Sequence, residues 1–276
     1  MKIQYLGTAA AEGIPGIFCE CEVCKKSMAL GGRNIRTRSQ ALLDDMLLID
    51  FPPDTYMHYL TYKFPLTKIK HCIITHSHQD HLYPDEVFMR KDGFSHLEDG
   101  QGAMRFYADQ SGYEMIKAVV EREHVKEIEP ILIRPFESFK VERYQITPLR
   151  ASHAPETCPL VYIIEKDGKT IFYSNDTSEY PEDSWEYLKN HRKRCDLISL
   201  DCTEADGFCD YTGHMNLERC TKLRERLLGE EIADENTIFV LNHFSHNGGH
   251  VVYDEFVKCA EKYGFIVSYD GMKIEF

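Results

Sequence analysis

The segment Thr75-His76-Ser77-His78-Gln79-Asp80-His81 places three imidazoles and a carboxylate within six residues. Imidazole nitrogens and carboxylate oxygens suit Zn, Mn, Fe or Ni. Four such groups on one short loop do not reach a single ion comfortably. His76 and His78 share a side of an extended segment, whereas Asp80 and His81 lie past the turn. Two neighbouring ions are the natural solution, and metals about 3.5–4 Å apart recur in hydrolytic sites. The competing reading is a solvated polar loop with incidental histidines. It is disfavoured because three of only 13 histidines fall here, directly after the apolar run His71-Cys72-Ile73-Ile74-Thr75.

Such side chains need a rigid frame. Apolar runs and period-2 alternation predict strands at Lys2–Leu6, Ser39–Leu43, Met46–Asp50, Ile69–Thr75, Met104–Ala108, Tyr144–Pro148, Leu160–Glu165, Thr170–Ser174, Asp196–Leu200, Thr237–Leu241 and Ile266–Tyr269. Asp44-Asp45 and Asp167-Gly168 read as hairpin turns. Helices are predicted at Ser111–Glu123, Asn216–Leu228 and Tyr253–Tyr263, the second opened by the N-cap Asn216 and closed before Gly229. Polar, weakly periodic Tyr83–Gly102 reads as a loop insertion beside the motif, a potential lid. Strands with interspersed helices suggest two packed sheets with helices outside. Polar residues recur just past strand ends: His76, then His153, Asp176 and His243. Loops held at one end of a sheet are where binding groups collect.

The bounds are consistent with one domain spanning residues 1–276. No linker, internal repeat or low-complexity tract is visible, and the chain can bury a core without disulfides. The formal charge of −13 opposes binding long nucleic acids. It says little about a small anion, because bound metal reverses the local field. The N-terminus enters a strand directly, without the pattern of a signal peptide. No apolar run approaches the roughly 18 residues of a membrane span. These features imply a cytoplasmic protein whose ten cysteines stay reduced. Oligomeric state is left open, a homodimer included.

The His-x-His-x-Asp-His motif after a core strand resembles that of the metallo-β-lactamase superfamily. That resemblance implies a four-layer αββα sandwich with two divalent ions at the edge between the sheets. It assigns His76, His78 and His153 to the first ion, and Asp80, His81 and His243 to the second. It implies a bridging role for Asp176 and a supporting role for Asp50.

Cys19-x-Cys21-x-x-Cys24 adds three thiolates within six residues. Such spacing favours a tetrahedral zinc needing a fourth ligand, against a redox pair or unremarkable thiols. His246, three residues past His243, is the candidate, giving a closed structural site. The combination resembles the cyclic phosphodiesterases of phosphonate breakdown, which act on a phosphoribosyl cyclic phosphate, and similarly the pyrroloquinoline-quinone synthesis protein B group. It implies a small phosphorylated substrate, two active-site ions (Zn or Mn, with Fe or Ni allowed) and one structural Zn. The catalytic candidates are Asp80 and His214, the latter in a position similar to the proton-donating histidine of those phosphodiesterases.

Hydrolysis of a lactone, a thioester or RNA, and a non-catalytic carrier role in cofactor synthesis, are the alternatives. A di-iron oxygen or nitric oxide reductase is disfavoured, since those relatives carry glutamate where His78 stands and usually a flavin domain. Arg33, Arg36 and Arg38 read as a solvated basic run ahead of a phosphate contact. Asp201 is either an orienting carboxylate or a turn residue. Trp185 reads as packing.

Overall fold

The computed structural model of the chain describes residues 1–98, 100–191, 193–210 and 212–276. Along the chain come β1 (Lys2–Gly7), α1 (Glu22–Leu30), β2 (Gln40–Leu43), β3 (Leu47–Ile49), α2 (Thr55–Tyr62), β4 (His71–Ile73) and β5 (Met104–Ala108). Next are α3 (Gln110–Glu123), β6 (Ile128–Leu132), β7 (Phe139–Val141), β8 (Tyr144–Arg150), β9 (Leu160–Lys166) and β10 (Lys169–Ser174). The chain continues through α4 (Glu182–His191), β11 (Leu197–Asp201), α5 (Leu217–Gly229), β12 (Ile238–Asn242), α6 (Tyr253–Ala260), β13 (Ile266–Val267) and β14 (Lys273–Glu275).

The strands form two mixed seven-stranded sheets, ordered β14-β1-β2-β3-β4-β5-β6 and β13-β12-β11-β10-β9-β8-β7. Both faces of each sheet are covered, so the central strands are apolar on both sides. Leu160, Tyr162 and Ile164 of β9 face the first sheet in a cluster with Ile3, Tyr5, Leu43 and Ile49. Val161 and Ile163 point the other way, into a cluster with Trp185 and Leu188 of α4, Leu223 and Leu227 of α5 and Phe256 of α6. The outer face of the first sheet packs Leu48, Cys72 and Phe106 against Ile116 of α3. This is the four-layer αββα sandwich the sequence suggests. No helix among the described residues is long and apolar enough to cross a membrane.

Both expected hairpins turn through left-handed residues, Asp44 and Asp45 at φ 48° and 56°, and Asp167 and Gly168 at φ 52° and 80°. Six elements escape the sequence patterns: α1, α2, α4, β6, β7 and β14. Helix α1 buries only Cys24 and Ser27, so it has no apolar stripe, and its N-cap is the thiol of Cys21. Strand β14 is an edge strand with no buried residue, and Pro130 interrupts β6. The segment Tyr83–Gly102, residue 99 lying outside the described residues, contains a 3-10 helix at Pro84–Arg90 whose Val87 is buried. It is therefore more ordered than the expected loop. Arg36 departs from the solvated reading: it is 2 % exposed, its guanidinium lies 4.3 Å above the Phe244 ring and Nη1 donates to Thr8 and Ser268.

Strand β4 is shorter than its apolar run. Thr75 leaves the ladder because its amide donates to Asp50 Oδ1 at 2.7 Å. That turn carries His76 and His78 across the top of the sheet.

Candidate metal centre

Residues from both sheets meet at one edge of the sandwich. Asp50 follows β3, the His76–His81 loop follows β4, and His153 follows β8. Asp176 follows β10, Asp201 ends β11 and His243 follows β12. Three of these hold left-handed backbone: Asp50 at φ 68°, Asp176 at φ 50° and His243 at φ 66°. Such conformations cost of order 1–3 kcal/mol each and cluster where structure serves a site.

The structure brings all seven predicted dinuclear candidates together. His76, His78 and His153 form one group, His76, His81 and Asp176 a second, and Asp80, His81 and His243 a third, with nitrogen and oxygen atoms within 4.8 Å in each. His78 Nδ1 lies 2.9 Å from His76 Nε2 and 3.3 Å from His153 Nε2. Asp176 Oδ2 lies 3.0 Å from His81 Nε2 and 3.1 Å from His243 Nε2. Metal–nitrogen bonds of about 2.0–2.1 Å, opened by about 90–110°, put ligand atoms roughly 2.9–3.4 Å apart. His81 Nε2, His243 Nε2 and Asp176 Oδ2 are buried with no hydrogen-bond partner. Orphaned buried polar atoms converging on one point fit metal ions that they would jointly hold. In that arrangement His76, His78 and His153 would hold one ion, and Asp80, His81 and His243 the other, with Asp176 between them.

The electrostatics agree with that fit. Burial alone depresses the His81 imidazole, yet Asp176, Asp80 and Asp50 together hold it well above its usual range. Burial raises the Asp176 carboxyl, and the His243 and His81 charges pull it well below its usual range. Three carboxylates around one imidazole create a field that favours positive charge there, whether proton or metal.

The other ring nitrogens are anchored. His81 Nδ1 lies 2.8 Å from Asp50 Oδ2, and His153 Nδ1 donates to the Gly213 carbonyl at 3.2 Å. These bonds fix tautomers that leave each Nε2 lone pair for a metal. His214 Nδ1 lies 2.9 Å from Asp201 Oδ2, so Asp201 is an orienting carboxylate. The His214 ring centroid is 4.8 Å from that of His153 and 5.6 Å from that of His243.

Cys19, Cys21, Cys24 and His246 also converge. His246 Nδ1 lies 3.6 Å from the sulfurs of both Cys19 and Cys21. A tetrahedral zinc with bonds of about 2.3 Å to sulfur and about 2.05 Å to nitrogen separates those atoms by roughly 3.6 Å. Burial pushes the Cys21 thiol up, but the Cys24 amide and contacts with Cys19, Cys24 and His246 outweigh it and draw the thiol down to about 6. That surrounding favours the thiolate, the metal-binding form.

The β-lactamase superfamily domain matches residues 46–233. The chain belongs to the metallo-β-lactamase superfamily. A superfamily member with this constellation is a metal-dependent hydrolase. The structure of a diphosphatase from the PhnP family aligns with a TM-score of 0.75 at 23% identity, over 100% of this chain and 97% of that one. The Zn(2+)-bound PqqB from Methylobacterium extorquens aligns with a TM-score of 0.76 at 18% identity, over 100% of both chains. Human tRNase Z, short form, aligns with a TM-score of 0.69 at 17% identity, over 100% of this chain and 99% of that one. At these identities the likeness is one of fold. No curated protein matches the sequence.

Three side chains near the site carry no signal of their role in the sequence. Thr75 Oγ1 lies 3.0 Å from both Asp50 oxygens. Thr203 stands between Asp201 and His243. Glu12 lies 3.6 Å from His246 Nε2 and accepts from Ser245. Hydroxyls and carboxylates are too common for spacing alone to single these out.

Removing the Cys21 sulfur should open the cysteine cluster. Elemental analysis of protein purified without added metal is expected to give three ions per chain, falling to two in Cys21→Ala. The melting temperature should fall with it, because structural zinc binding contributes directly to folding. An unchanged ion count in Cys21→Ala would remove the cluster as a metal site.

Proposed function

We propose that the chain is a metal-dependent phosphodiesterase acting on a small cyclic, phosphoribosyl-type phosphodiester. The observation that carries this reading is His214, held by Asp201 beside the dinuclear cluster. The resemblance to the PhnP family adds support, since the aligned member is described as a diphosphatase. In this reading a single domain spans residues 1–276. His76, His78 and His153 would hold one ion and Asp80, His81 and His243 the other, with Asp176 facing both. Both ions are Zn or Mn, with Fe or Ni allowed by the ligands. Cys19, Cys21, Cys24 and His246 would hold a structural Zn.

Bound divalent ions supply an activated water and neutralise charge building on the phosphoryl oxygens. The protein's part is positional. The seven ligand side chains come from loops anchored in two sheets, which fixes their spacing before substrate arrives. Asp50 and the Gly213 carbonyl hold His81 and His153 in the required tautomers. Asp80 keeps its carboxylate against His81 at 3.2 Å. Asp201 occupies His214 Nδ1, so Nε2 is the atom that delivers a proton to the leaving alkoxide.

The test is hydrolysis by protein loaded with Mn or Zn. Bis(p-nitrophenyl) phosphate and a cyclic ribose phosphate should both be cleaved, and chelation should abolish cleavage. Fully metallated protein inactive on both would overturn the proposal and favour a lactone, a thioester, RNA or a carrier role.

A further inference from the structure

The two halves of the site share a construction. At the end of the first sheet, Asp50 accepts from the Thr75 amide and hydroxyl, and that hydroxyl lies 3.2 Å from His76 Nδ1. At the end of the second, Asp201 accepts from the Thr203 amide at 3.1 Å and from its hydroxyl at 3.1 Å. The Thr203 hydroxyl also lies 2.9 Å from His243 Nδ1. Thr203 and Asp201 are both buried.

We infer that Thr203 is a positioning residue whose hydroxyl fixes His243 as an Nε2 metal ligand and couples it through Asp201 to His214. A count of protons sets the direction of each bond. A threonine hydroxyl has one proton to donate and two lone pairs that accept. Asp201 takes donors from the Thr203 amide, the Met215 amide at 2.9 Å and His214 Nδ1. A carboxylate in that position accepts only, so the Thr203 proton points to Asp201 Oδ2. The contact with His243 must then run the other way, from His243 Nδ1–H to Thr203 Oγ1. That places the lone pair of His243 on Nε2, the buried atom 3.1 Å from Asp176. The same threonine holds the following loop, because its carbonyl accepts from the Ser245 amide at 3.0 Å. Thr203 thus holds both ends of the three-residue segment His243–Ser245.

The inference rests on the proposed ligand role of His243, and its test separates the two. Thr203→Ser and Thr203→Ala both lose the methyl group and differ only in the hydroxyl. Each is loaded with Zn(2+) and titrated with a competing chelator, with no substrate present. Ser is expected to hold the active-site ions within a few-fold of the parent. Ala is expected to hold one of them about 10- to 100-fold more weakly, the usual loss for an orienting partner of a metal-bound histidine. The ion at the cysteine cluster should remain in both. Equal retention in Ser and Ala, or equal loss in both, overturns the role of the hydroxyl. A parent protein that binds no pair of chelatable ions at the His76–His243 site would instead overturn the ligand reading itself.

Discussion

Asp176→Asn is expected to lower kcat/KM on a phosphodiester by about a thousand- to ten-thousand-fold and to remove at least one active-site ion. Asn keeps the shape of the side chain and loses the charge. In the parent, Oδ2 is buried between His81 and His243 at 3.0 Å and 3.1 Å, and Oδ1 lies 3.9 Å from His153. One carboxylate therefore faces candidate ligands of both ions. Stabilisation of transition-state charge by paired metals amounts to several kcal/mol, and about 1.4 kcal/mol is tenfold in rate. An amide supplies one neutral oxygen in place of two charged ones and turns an N–H toward the metals, so it neither bridges nor balances them. Elemental analysis and the rate on a cyclic ribose phosphate check both parts. The cysteine-cluster ion should be unchanged, which distinguishes a local effect from unfolding. Near-parental ion content and turnover would show that Asp176 does not bridge.

How much of this was legible in the sequence follows from where the chemistry is stored. His76, His78, Asp80 and His81 are dense in sequence, so the type and spacing of a short loop suffice. His153, Asp176 and His243 sit just past strand ends, and the same rule located them once a superfamily resemblance said what to seek. Strands β9 and β10 were legible because both faces are apolar. What stayed hidden was stored in three dimensions. The left-handed φ of His243 leaves no mark on the sequence, since the residue type permits that conformation without requiring it. The roles of Thr75 and Thr203 depend on which carboxylate lies 3 Å away, and threonine at a strand end is unremarkable by itself. Arg36 departs from its sequence pattern for a related reason. A run of three arginines suggests a solvated loop, but aromatic packing over Phe244 and the acceptors Thr8 and Ser268 make burial possible.

His214→Ala should lower turnover of a cyclic ribose phosphate by about a hundred- to ten-thousand-fold while leaving all metal ions in place, the range for loss of a positioned general acid. The decisive comparison is between leaving groups. A ribose alkoxide needs a proton as it departs, whereas p-nitrophenolate departs without one. The loss should therefore be much smaller on bis(p-nitrophenyl) phosphate. The pH profile carries the same information. Burial alone would depress the His214 imidazole, but the Asp201 carboxylate at 2.9 Å more than offsets it and raises the group to about 9. A proton donor is active in its protonated form, so the parent should hold its rate at neutral pH and lose it as pH rises through that value. Nearby divalent ions repel the imidazolium and move this alkaline limb downward, never upward. In the Ala variant the limb should vanish from the ribose phosphate profile. Equal losses on both substrates, with the limb intact, would mean that His214 shapes the site without delivering the proton. Loss of ions in the Ala variant would make it a ligand instead, alongside Asp176 and His243 to which its ring already lies close.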